Sequence, residues 1–166
     1  MGEIFAVLSG KGGTGKTSVS AGIATALSAA GRKVLCIDCD VGLRNLDISL
    51  GLSQVPSLSF LEVCREHYDL SKATIHPMFP NLSFLTAPMN TAITAIDPGE
   101  FAELIHRARQ QFDYIILDAP AGVDAGFRLA TTFADRILLV TGPSPAAIRD
   151  AGRTGEVLEL MGKTNV

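Results

Sequence analysis

Ser9-Gly10-Lys11-Gly12-Gly13-Thr14-Gly15-Lys16-Thr17-Ser18 is the stretch on which the reading of this chain turns. Gly10 and Gly15 bracket four residues and Lys16-Thr17 follow directly, which is the G-x-x-x-x-G-K-[ST] spacing of a phosphate loop. Glycines let the backbone turn its N–H groups inward around phosphate oxygens, in conformations that a side chain would penalise. A helix opening at the end of such a loop adds free N–H groups and a positive dipole end. Both flanks agree with that use. Glu3–Leu8 reads as a short apolar strand, while Val19, Ile23, Ala26, Leu27 and Ala30 recur at helical spacing as far as Gly31, a helix stop. Residues Gly10, Lys11, Gly12, Gly13, Thr14, Gly15, Lys16, Thr17 and Ser18 are therefore the predicted nucleotide-binding segment. Lys16 is expected on the β/γ-phosphates and the Thr17 hydroxyl on Mg²⁺.

Two further strands end in carboxylates. Lys33–Ile37 runs into Asp38-Cys39-Asp40, and Tyr114–Leu117 runs into Asp118. The carboxyl ends of parallel strands are where open α/β sheets bind ligands. Asp38 and Asp40 share a face if the backbone stays extended, because side chains alternate with period two. An apolar strand ending in Asp commonly supplies the residue that holds phosphate-bound Mg²⁺, and Asp118 takes that place. Asp38 and Asp118 are thus candidate metal-side residues with Thr17, and Asp40 is the candidate for orienting the attacking water.

Lys11-Gly12-Gly13-Thr14-Gly15-Lys16-Thr17 resembles the deviant phosphate loop of the MinD/ParA family of ATPases. The resemblance extends through Asp40-Val41-Gly42-Leu43-Arg44-Asn45-Leu46-Asp47, similar to the family's first switch. It continues through Asp118-Ala119-Pro120-Ala121-Gly122, similar to the second, and Arg149-Asp150 with Arg153 in the last helix. It implies ATP and Mg²⁺ as cofactors and a catalytic set of Lys11, Lys16 and Asp40. Lys11 would reach the partner's phosphates in an ATP-dependent homodimer. For the MinD branch it implies septum placement with MinC- and MinE-like partners. For the ParA-, FlhG- or Mrp-like branches it implies DNA partition, flagellar number or iron-sulfur delivery. A non-hydrolysing nucleotide-binding module is the alternative from another class. One departure is Thr141-Gly142-Pro143-Ser144, where family members often carry Thr-Asn-Pro-Glu.

The expected architecture is one α/β domain over residues 1–166, doubly wound on a largely parallel sheet of five strands. The resemblance implies strand order 3-2-4-1-5. It also implies further strands and an amphipathic membrane-targeting helix after residue 166, so the chain is expected to be truncated relative to the family. Net charge is −3 and gives no support for bulk nucleic-acid binding. With 47% hydrophobic residues, the composition suits parallel strands buried on both faces. No apolar run reaches ~18 residues and no leader is expected, so the predicted location is cytoplasmic; the resemblance implies a peripheral place at the inner membrane face for a longer form.

The three cysteines, Cys36, Cys39 and Cys64, include one C-x-x-C pair, but no second pair or nearby histidine completes a zinc site. Cys36 reads as a small buried apolar residue. Farther on, Leu58, Leu61 and Val63 suggest a short helix, and Thr91–Asp97 reads as a surface loop. Phe101, Leu104, Ile105 and Ala108 form the apolar stripe of a helix opened by Pro98.

Overall fold

The computed structural model describes residues 1–166. Strand β1 (Glu3–Leu8) leads through the glycine loop into α1 (Lys16–Ala29) and back into β2 (Val34–Asp38). Short helices α2 (Leu46–Ser49) and α3 (Phe60–Arg65) precede β3 (Thr74–Ile75) and β4 (Leu82–Leu85). Then come α4 (Pro98–Gln111), β5 (Tyr114–Asp118), α5 (Ala125–Phe133), β6 (Arg136–Leu139) and α6 (Pro145–Leu160).

The sheet order is β3-β4-β2-β5-β1-β6. Its five parallel strands stand in the expected order, with the Asp118 strand between the Asp38 strand and the phosphate-loop strand. The sixth, β3, is an addition: two residues pair antiparallel with β4, too short to show as a pattern before Pro77. At the other edge, the Ile137 N–H donates to the Asn165 carbonyl and lays the last residues along β6.

Parallel strands covered on both faces must be apolar throughout, and all five residues of β2 are buried. Two cores result. The larger joins α3, α4 and α5 to one face, with Phe101 packed edge-on to Phe60. The smaller lies under α1 and α2 on the other face. Helix α4 buries the expected stripe of Phe101, Leu104, Ile105 and Ala108. Helix α1 differs from its apolar pattern: Ala26 and Ala30 are exposed, and Lys16, Ser20, Ala21, Ala24 and Ser28 are buried. A face of small residues lets the helix approach the sheet closely, which brings Ser20 near the tip of β5.

Helix α3 is fixed by a capping box, since Ser59 Oγ accepts from the Glu62 N–H and Glu62 accepts from the Ser59 N–H. The Thr91–Asp97 stretch holds a turn of 3₁₀ helix at Ile93–Ala95, with Ile96 buried and Ile93 packed on the core. Cys36 and Cys39 are free and fully buried, and burial pushes both thiols up, so neither offers a thiolate. No helix is long and apolar enough to cross a membrane.

Candidate functional site

The glycine loop, the start of α1 and the segments that follow β2 and β5 line a 280 Å³ cavity. Gly13 and Gly15 lie at φ 77° and 88°, left-handed values that favour glycine, and Gly15 in that conformation caps α1. Beyond their chain neighbours, no atom stands within 4 Å of where a Cβ would lie on Gly12, Gly13 or Gly15, so nothing packs against these three glycines. Thr14 Oγ1 and Ser9 Oγ are buried there without a partner.

Lys16 is 7% exposed and its Nζ lies 3.0 Å from Asp118 Oδ1, a buried ion pair. Asp118 is itself 1% exposed. Three donors converge on it: Lys16 and Ser20 on Oδ1, the latter at 2.7 Å, and the Thr17 hydroxyl on Oδ2 at 2.9 Å. Lys16, Thr17 and Asp118 therefore meet as their sequence positions suggest. Asp40 and Ser18 line the same cavity, joined by Leu43 and Asn45, which lie in the stretch that resembles the first switch but were not among the candidate site residues.

Asp38 sits beside Asp118, its register partner on β5, and is fully buried. The backbone does not stay extended past it. The Asp40 N–H folds back onto Asp38 Oδ1 at 2.9 Å and the Leu46 N–H donates to Oδ2 at 3.1 Å, so Asp38 pins the segment from Asp40 to Leu46. Burial raises the Asp38 carboxyl to about 7; the two amides oppose this and the Asp118 and Asp40 charges add to it. Asp40 is also raised, first by burial, against the pull of Lys16 and with help from Asp118 and Asp124.

Two members of the predicted binding segment face elsewhere. Lys11 is exposed, makes no ion pair and stands outside the residues lining the cavity. Gly10 packs against α6: a Cβ there would lie 2.5 Å from the Asp150 carbonyl oxygen and 2.9 Å from Thr154 Oγ1. Ser20 was missed altogether, because a serine in an Ala-rich helix carries no motif. The segment after β5 touches the loop through Gly122, at φ 92°, whose N–H donates to the Ser9 carbonyl at 3.2 Å.

An open glycine cradle, a buried ammonium and oxygen donors of hard type fit a polyphosphate with Mg²⁺. Fold and site together define a phosphate-loop domain of the nucleotide-binding α/β class.

Comparison with known proteins narrows the class. A family described as an AAA domain matches residues 2–164. The septum site-determining protein MinD of Synechocystis sp. is 42% identical over 160 residues, 96% of this chain and 60% of that protein. A chain of the MinC:MinD cell division protein complex from Aquifex aeolicus superposes with a TM-score of 0.87 at 37% identity, covering 98% of this chain and 66% of that one. MinD from Pyrococcus horikoshii, complexed with Mg-ADP, gives 0.82 at 34% identity, covering 98% and 67%. The chain belongs to the MinD/ParA family of phosphate-loop ATPases. It spans about 60% of the length of the curated relatives it matches.

Proposed function

We propose that this chain is the nucleotide-binding part of an Mg-dependent ATPase that works as an ATP-driven dimerisation switch in division-septum placement. The observation that carries the reading is the convergence of Lys16, Thr17 and Ser20 on Asp118 beside an open glycine loop. Without nucleotide, Lys16 is neutralised by Asp118. A bound polyphosphate offers the ammonium a larger anionic partner, so Lys16 turns to the β/γ-phosphates and frees Asp118. Thr17 and Asp118, with Asp38 behind them, are the residues to hold Mg²⁺. When bound, that ion neutralises charge on the phosphate oxygens. Asp40 orients a water toward the γ-phosphorus; the new P–O bond forms as the bond to the β-phosphate oxygen breaks, releasing ADP and phosphate.

Lys11, free on the surface, is assigned to the phosphates of a second subunit. The naming of relatives as septum site-determining proteins supports the cellular role, and the MinC:MinD complex supports a MinC-like partner. A MinE-like partner and a membrane-targeting helix rest on the family resemblance alone.

Phosphate release from Mg-ATP by the parent chain and by Asp40→Ala tests the enzyme reading. The parent should release phosphate and Asp40→Ala should fall ~100-fold or more. Equal background release from both would leave a nucleotide-binding module. Lys11→Ala should abolish ATP-dependent dimerisation in light scattering while changing monomer ADP affinity by less than about threefold. Unchanged dimerisation would return Lys11 to solvent.

A further inference from the structure

Ser20 lies one helical turn beyond Lys16 on the buried face of α1 and is 0% exposed. Its single hydroxyl proton has two acceptors in reach, the Lys16 carbonyl at 3.2 Å and Asp118 Oδ1 at 2.7 Å. The contact to the carboxylate is shorter and charge-assisted, so the proton belongs there. Oδ1 consequently has two donors, Ser20 and Lys16, and Oδ2 has one, Thr17.

These three donors differ in what a nucleotide asks of them. Lys16 and Thr17 are the groups that leave Asp118 when phosphates and Mg²⁺ arrive. Ser20 has no such task, because it is sealed beneath the helix and lines no part of the cavity. Once the other two have turned away, it is the remaining side-chain donor to a carboxylate 1% exposed. A buried carboxylate held through one oxygen keeps its other oxygen aimed, and an unheld one is free to rotate.

From this geometry we infer that Ser20 is a positioning residue for magnesium: it clamps Asp118 Oδ1 so that Oδ2 stays presented to the metal side of the site after Lys16 and Thr17 have moved to the nucleotide. The inference rests on the Mg-nucleotide reading of the cavity and adds to it a residue outside the phosphate loop and both switches.

The test is the Mg²⁺ concentration needed to retain a fluorescent ADP analogue, measured for the full 166-residue chain, its Ser20→Ala variant and its Ser20→Thr variant. Ser20→Ala should need ~10- to 100-fold more Mg²⁺, the usual cost of removing an outer partner of a metal-holding side chain. Its affinity for the analogue in EDTA should stay within about twofold of the parent, and Ser20→Thr, which keeps the hydroxyl, should recover most of the Mg²⁺ response. Equal Mg²⁺ requirements for Ser20→Ala and the parent would overturn the assignment. So would parallel losses with Mg²⁺ and in EDTA, since those mark a packing defect. A parent that retains the analogue equally with and without Mg²⁺ would overturn the Mg-nucleotide reading itself, and Ser20's role with it.

Discussion

The two ends of the sheet carry similar charges and put them to different uses. At the amino ends of β1 and β5, each carboxylate oxygen in play has its own donor. Arg109 donates to Asp135 Oδ1 at 2.7 Å and the Ile4 N–H to Oδ2 at 2.9 Å, while the Lys33 N–H donates to Asp113 at 2.8 Å. Burial alone would raise Asp135, but the Arg109 hydrogen bond, the Ile4 amide and the guanidinium charge outweigh it and hold its carboxyl below the usual range. At the carboxyl ends, Asp38 and Asp118 are buried side by side with Lys16 as the one buried cation, and Asp118 Oδ1 shares two donors, Lys16 and Ser20. One end is settled; the other is poised to exchange partners.

Cavity size points the wrong way. The larger hollow, 810 Å³, lies at the amino end and is walled by Gly2, Arg32, Lys33, Arg109 and Asp113. The 280 Å³ cavity at the carboxyl end holds the glycine loop and the unpartnered Thr14 and Ser9 hydroxyls. Unspent hydrogen-bonding capacity beside a buried ammonium marks a ligand site better than volume does.

Removing one cation from each end separates the two. Lys16→Ala leaves Asp118 buried and short of its counter-ion, and chemical denaturation should show a loss of about 3–5 kcal/mol. Arg109→Ala breaks a half-exposed pair that retains the Ile4 amide and should cost only about 1 kcal/mol. Equal losses would erase the distinction between the ends.

A pH series sharpens it. Below about pH 4 Asp38 is protonated in both folded and unfolded chains. Between about 4 and 7 the unfolded chain ionises it while the fold, with its carboxyl raised to about 7, keeps the proton, so stability falls as pH rises. The contribution is lost above about 7 and amounts to on the order of 4 kcal/mol. Stability of Asp38→Asn relative to the parent should be flat below pH 4, climb through pH 4–7 and level off. A flat difference throughout would mean that Asp38 titrates in the fold as it does in the unfolded chain.

Gly10→Ala gives a smaller effect of about 1–3 kcal/mol, because the new methyl meets the Asp150 carbonyl and forces the loop off α6. Unchanged stability in thermal unfolding would show that loop and helix move apart freely.

Much of this was legible beforehand. The phosphate-loop spacing and the two apolar strands ending in Asp38 and Asp118 marked the carboxyl end of the sheet, because glycine conformation and buried strands leave strong local patterns. What stayed hidden depends on folding at a distance. The Leu46 amide reaches Asp38 from eight residues on, Ser20 meets Asp118 across 98 residues, and Gly10 is a glycine for the sake of a helix that begins at Pro145. Strand β3 was overlooked because two residues pair only through β4.

Whether Lys16 trades Asp118 for a nucleotide's phosphates at the carboxyl end of the sheet can be read from calorimetric titration with Mg-ADP at pH 7.5. The parent and Arg109→Ala should bind saturably, and Lys16→Ala should bind at least ~100-fold more weakly. Binding by Lys16→Ala as tight as by the parent, or a loss confined to Arg109→Ala, would contradict that exchange.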